Sequence, residues 1–167
     1  MSWDQLFMGM AYLTSAKSHD PRTRVGSVIA TEDNMIVSVG YNGLPRGVAY
    51  STAILSTERK YDVMAHAEEN AILNSNRTAQ SLIDCKLYVN LLPCNVCARL
   101  IIQSGIKEVV VDQNSQKFYI ETSEKGENYW EESFKITKSL FSETGVKLRF
   151  LDYQPVILGG LFNGENY

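Results

Sequence analysis

The sequence predicts an α/β domain, a layered sheet with helices on its faces. Three observations carry this expectation. Apolar residues near the amino terminus recur at helical spacing. Two short strand-like runs follow across a polar turn. From residue 64 onward, helical and strand-like segments alternate.

Taken in order, Trp3, Leu6, Phe7, Met10, Leu13 and Thr14 share one helical face, so a helix is expected over 2–18. Pro21 ends it, because proline disfavours helical backbone at the preceding Asp20. Val25–Thr31 and Met35–Gly40 read as the strands of a hairpin joined through Glu-Asp-Asn. Residues 41–62 contain Gly43, Pro45 and Gly47 and are expected to be loop, with one helical turn at most. A helix over 64–74, a strand over 86–91, a helix over 95–104 and a strand over 107–112 come next, with Gly105 placed where a helix stops. A polar loop over 113–128, a helix over 129–143 and a strand over 146–151 complete the order. Residues 152–167 carry three glycines without a period and read as a tail. Neither a repeat nor a linker divides the chain, so one domain over 1–167 is expected.

The 167 residues suffice for one sizeable core. A net charge of −3 argues against a broad nucleic-acid surface, so a small anionic ligand would need a local basic pocket. Apolar runs fall short of the roughly 18 residues that a membrane span needs. The start, MSWDQLFMGMAYLTSAK, lacks the basic region and cleavage site of a secretory signal. Cys85, Cys94 and Cys97 are too few and too unevenly spaced for a disulfide framework. A reduced, cytoplasmic protein is the expectation.

Two short motifs carry chemistry: His66-Ala67-Glu68 and Pro93-Cys94-Asn95-Val96-Cys97. Each falls at an expected helix start, where side chains can point past the end of the helix. Two such starts can converge on one point. The helix dipole there favours the thiolates that zinc requires. One imidazole and two thiolates suit zinc and leave a fourth position for water, as in catalytic sites. Zinc acidifies that water, and a carboxylate two residues beyond His66 can move its proton. Alone, H-x-E means a helix residue and a solvated acid. Alone, C-x-x-C has as its alternatives half of a structural zinc site, a redox pair or two core cysteines. A closed structural site would need a fourth ligand, with His19 and Cys85 as candidates. Together and in this order the motifs form the signature of zinc deaminases.

At these residues the chain resembles the cytidine deaminase superfamily and, within it, the deoxycytidylate deaminases. SHDPRTRVG over 18–26, GYNGLPRG over 40–47, HAEENAI over 66–72 and PCNVCARLIIQSG over 93–105 followed by IKEVV carry the resemblance. It covers most of residues 3–151, in family order. It implies a three-layer fold with a mixed five-stranded sheet flanked by helices. It also implies zinc on His66, Cys94 and Cys97, with Glu68 as proton shuttle. The expected reaction converts dCMP to dUMP and ammonia, which would serve thymidylate supply. Many members are homohexamers activated by dCTP and inhibited by dTTP, with magnesium accompanying the triphosphates.

By the same resemblance Asn42 contacts the substrate sugar, although Asn42-Gly43 is also a good turn pair. Ala67, Pro93 and Arg24 join it as substrate-binding candidates. Lys17, Arg22, Gly40, Tyr41, Gly43 and Arg46 are candidates for phosphate or regulatory nucleotide, since arginine can grip phosphate with a bidentate fork. An ordinary solvated charge is the competing reading for Lys17, Arg22, Arg24 and Arg46, and a core tyrosine for Tyr41. Cys85 reads as a core thiol and His19 as a loop residue. The 113–128 loop departs from the family pattern near where many members place an aromatic over the base. Phe118, Tyr119 and Tyr129 are the candidates for that role. This departure and the tail leave dCTP open as a substrate beside dCMP. The rivals are a nucleoside or tRNA-adenosine deaminase and, from another class, a non-catalytic zinc module that binds nucleotides.

Overall fold

The computed structural model describes residues 1–49, 60–122, 127–155, 161–162 and 165–166, with side chains over 1–49, 60–117 and 130–155. Helix α1, Trp3–Ser15, starts at Ser2, whose Oγ accepts the Gln5 N–H while the Gln5 side chain accepts the Ser2 N–H. Strands β1, Gly26–Ala30, and β2, Ile36–Tyr41, form the expected hairpin, with an irregularity between Ile29 and Ala30. Then come α2, Lys60–Val63, α3, Ala67–Asn76, β3, Lys86–Val89, α4, Asn95–Gln103, and β4, Glu108–Asp112. Helices α5, Gln113–Thr122, and α6, Glu127–Thr144, lead to β5, Lys147–Leu151. Leu161–Phe162 and Glu165–Asn166 pair as a small ribbon, β6 and β7.

The main sheet has five strands in the order β2-β1-β3-β4-β5. β1 runs antiparallel to both neighbours, whereas β3, β4 and β5 are parallel. Parallel neighbours need a crossover, and α4 supplies one while α5 and α6 supply the other. This mixed pattern gathers the start of β1 and the ends of β2, β3 and β4 at one end of the sheet.

Alternation along the strands assigns their side chains to two layers. Val28, Ala30, Tyr88 and Val110 pack against Phe7, Met8 and Ala11 of α1. Ile29, Leu87, Val89, Val109 and Val111 face the other way, among Ala71 of α3, Ile101 of α4 and Phe141 of α6. With both faces covered, β1 and β4 are buried at every position. Two helices lie so close to the sheet that only glycine fits beneath them. A Cβ on Gly26 would stand 2.0 Å from the Ala11 carbonyl oxygen, and one on Gly40 would stand 2.2 Å from that of Ala67.

The structure corrects several expectations. The polar loop over 113–128 is helical from Gln113 to Thr122. Its polar residues serve internal bonds: Asp112 accepts the Asn114 N–H, and buried Gln116 accepts the Leu92 N–H. The helix expected from residue 64 begins only at Ala67, because Ala65 forms a β-bridge with Gly43. The first helix stops at Ser15 rather than 18, and Ser18 turns inward to donate to the Asn42 carbonyl. The tail contains the β6–β7 ribbon. Among the described residues, no helix is long and apolar enough to cross a membrane.

Candidate zinc and nucleotide site

His66 and Cys94 are the residues immediately before α3 and α4, both with extended backbone. Each side chain leaves its helix at the N-terminal end, and Cys97 follows in the first turn of α4. The His66 Nδ1 atom lies 3.4 Å from the Cys94 sulfur and 3.4 Å from the Cys97 sulfur. The three ligand atoms fall within 4.8 Å of one another, and no further His, Cys, Asp or Glu joins them among the described residues. Usual zinc bond lengths with a tetrahedral angle put nitrogen and sulfur about 3.6 Å apart. The geometry therefore fits zinc, with a soft donor set that suits it and one position left over. Cys85, a candidate fourth ligand, is instead a buried thiol in the core, with its sulfur directed at the Ser81 carbonyl.

The electrostatics of the metal-free cluster follow from its crowding. The Cys97 thiol donates to Cys94, so Cys94 is pushed down to about 4 while Cys97 is raised well above its ordinary range. Beside that thiolate, His66 is raised to about 9, against the opposing effect of burial. Glu68 sits in the first turn of α3 and is only 4% exposed. Burial pushes its carboxyl up to about 7, within reach of proton exchange at neutral pH.

Surrounding residues hold the ligands in place. Glu69 accepts the His66 N–H at 3.3 Å, bracing the start of α3. Ser133 of α6 accepts the Asn95 N–H at 2.9 Å, and Thr137 donates to the Pro93 carbonyl at 3.0 Å. His66, Glu68 and Cys94 open into a pocket whose walls include Asn42, Leu92 and Trp130.

The other sequence candidates distribute unevenly. Asn42 lines the pocket, and its amide spans the loop before β1: Oδ1 accepts the Val25 N–H and Nδ2 donates to the Thr23 carbonyl. Each group keeps capacity for one further bond. Ala67 is buried in the pocket wall, and its carbonyl accepts from Ser27. Pro93 is held through its carbonyl, as above. Gly40 packs under α3, Gly43 bridges Ala65, and the Tyr41 carbonyl accepts from Asn70. Lys17, Arg22, Arg24 and Arg46 are all exposed and outside the pocket wall; Arg46 bonds Asn74. The side chains of Phe118, Tyr119 and Tyr129 lie outside the described residues.

Sequence reasoning missed Lys60, Trp130, Ser133 and Thr137. The last two lie on the inner face of the helix expected over 129–143, but nothing in the sequence says that this face meets the cysteine loop. Trp130 was legible only as an apolar position of that helix.

A helix–sheet–helix domain with an imidazole and two sulfurs meeting at two helix starts, beside a buried acid, defines the class of zinc-binding deaminase folds. The chain belongs to the family described as the cytidine and deoxycytidylate deaminase zinc-binding region, which matches residues 1–113. It is 44% identical to the human deoxycytidylate deaminase over 116 residues, 66% of this chain and 64% of that protein. The chain thus spans just under two thirds of that relative's length. An uncharacterized deaminase from the luxG 3′ region of Aliivibrio fischeri is 39% identical over 149 residues, covering 89% of this chain and 93% of that one. The fold resembles the dCMP deaminase of the cyanophage S-TIM5, solved in complex with dCMP and dUMP. The TM-score is 0.68 at 22% identity, covering 88% of this chain and 95% of that one.

Proposed function

We propose that this chain hydrolyses dCMP to dUMP and ammonia at the His66–Cys94–Cys97 site. The observation that carries the reading is the buried Glu68 carboxyl beside a three-ligand cluster, since a structural zinc site has no use for a proton shuttle. Zinc held by the three residues supplies a Lewis acid that makes water nucleophilic near neutral pH. Glu68 accepts the proton of the water attacking C4 and delivers it to the ring nitrogen. It then carries the second water proton to the departing amine. The C4–N bond breaks, a C4 carbonyl remains, and ammonia leaves. Asn42 holds the sugar through its remaining bonding capacity, and the walls at Ala67 and Leu92 exclude water from the base.

The human relative's name, together with the DPRTRVG and GYNGLPRG segments, supports dCMP over a free nucleoside or tRNA. Regulation by dCTP and dTTP with magnesium belongs to the same reading through the GYNGLPRG resemblance, and assembly as a hexamer through the resemblance to the family as a whole. Lys17, Arg22, Gly40, Tyr41, Gly43 and Arg46 would serve there as phosphate or regulatory-nucleotide contacts.

The test is Glu68→Gln on zinc-loaded protein, assayed with dCMP, dCTP, cytidine and a tRNA substrate side by side. Turnover of dCMP should fall about 10²- to 10⁴-fold with zinc retained. Wild-type preference for another of these substrates would displace dCMP, and an active Glu68→Gln variant would refute the shuttle.

A further inference from the structure

Lys60 and Asp20 are each 4% exposed, and both line the pocket that contains His66 and Glu68. The Lys60 ammonium lies 3.0 Å and 3.1 Å from the two Asp20 carboxylate oxygens, and 5.0 Å from the centre of the Tyr61 ring. It is the one lysine or arginine among the described residues of the pocket wall.

Taking an ion pair out of water is costly, and a buried pair is weak evidence of a purely stabilising role. The turn that Asp20 holds does not itself require a lysine. Asp20 accepts the N–H groups of Arg22 and Thr23 at 2.8 Å and 3.1 Å, which fixes the turn ahead of β1. A neutral donor would complete that carboxylate's bonding. An ammonium offers three donors, and among the described residues Asp20's two oxygens are its hydrogen-bond acceptors, which leaves a third donor for a ligand. Because Asp20 is also held by backbone N–H groups, its charge is shared, and Lys60 remains attractive to a second anion.

We infer that Lys60 Nζ binds the 5′-phosphate of the nucleotide, with Asp20 as its resting counter-ion. The inference rests on the nucleotide reading above and assigns the contact that separates a nucleotide from a nucleoside. The exposed arginines expected from the sequence to grip phosphate do not reach the pocket wall; Lys60 does. Its position explains why an acidic chain can still bind an anion: the positive charge sits inside the pocket, where low polarity strengthens it.

The test compares kcat/KM for dCMP and for deoxycytidine in zinc-loaded wild type, Lys60→Gln and Lys60→Arg. Lys60→Gln should lose about 10- to 100-fold on dCMP, mainly through KM, with little change on deoxycytidine. Lys60→Arg should recover most of the dCMP loss. Equal losses on both substrates, or none on either, would overturn the assignment and leave Lys60 as a packing residue or a bystander. Should Lys60→Gln not fold, the lysine Nζ resonance of wild type, identified by its disappearance in Lys60→Arg, decides. It should shift with dUMP and stay still with deoxyuridine; no shift with dUMP overturns the proposal. Wild type that turns over neither substrate would refute the deaminase reading, while the dUMP shift would still judge Lys60.

Discussion

Thr137 Oγ1 donates to the Pro93 carbonyl at 3.0 Å, tying the middle of α6 to the residue just ahead of Cys94. With Ser133 accepting from Asn95, one helix braces the cysteine loop at two points. Thr137 is fully buried, so its hydroxyl has no solvent alternative. Thr137→Val keeps the shape and strands the Pro93 carbonyl, which costs about 1–3 kcal/mol. Zinc affinity should fall on the order of tenfold, as supporting bonds around metal ligands commonly do. Competition against a chelator, alongside denaturant unfolding, checks both numbers. Unchanged zinc affinity would reduce Thr137 to a stabilising residue.

Gly40 is the second point of support. A methyl group there would collide with the backbone of Ala67 and Ala71, at 2.2 Å and 2.4 Å. Gly40→Ala should destabilise the protein by about 1–3 kcal/mol, and more if the helix cannot shift. Because α3 carries Glu68 in its first turn, turnover should fall together with Tm. A variant of wild-type activity and Tm would show that α3 can slide without harm.

Zinc uptake has a proton balance set by the crowded cluster. In the metal-free state at pH 7, His66 at about 9 and Cys97 above its ordinary range are protonated, whereas Cys94 at about 4 is already thiolate. Binding should therefore release on the order of two protons. Acidification should weaken zinc binding in proportion. Calorimetry in buffers of different ionisation enthalpy counts the protons. A count near zero would contradict the protonation pattern. Removing the metal with a chelator should abolish turnover, and adding zinc should restore it.

Acid stability tests a site far from the chemistry. Burial raises the Asp4 carboxyl, but bonds from Arg149 and Tyr88 outweigh it and hold it below its ordinary 3.8. Arg149 grips Asp4 at 2.7 Å and 3.1 Å and also donates to Glu108. A carboxyl depressed in the folded state stabilises above its unfolded value and loses that contribution as pH falls through the folded one. Wild type should lose stability on descending below pH 3.8, and Asp4→Asn should lose less over that window. Parallel curves from urea titrations would remove the claim.

The sequence announced what depends on local pattern. The hairpin, the alternating elements and the two helix starts bearing His66 and Cys94 follow from short-range periodicity and motif. Gln113–Thr122 did not, because its polar residues suggested solvent, whereas Gln116 is turned inward by a partner on a distant segment, Leu92. Lys60 was invisible for the same reason. Its meaning comes from Asp20, forty residues away, and a lysine in a predicted loop is ordinarily solvated. Arg22, Arg24 and Arg46 stood out by type and neighbourhood, yet where they face was decided by tertiary packing.

The mixed strand directions have one more consequence. Since Asn42, the start of β1 and the cysteine loop all crowd one end of the sheet, the Thr31–Met35 turn at the other is spared any chemical duty. It is closed by the Thr31 N–H donating to the Met35 carbonyl and the Met35 N–H donating to Thr31 Oγ1, with Asn34 at φ 70°, and Glu32 within it pairs with Lys107. That turn is the natural handle of the molecule: a label, tether or grafted peptide placed there would hang from the end of the sheet opposite the His66–Cys94–Cys97 cluster.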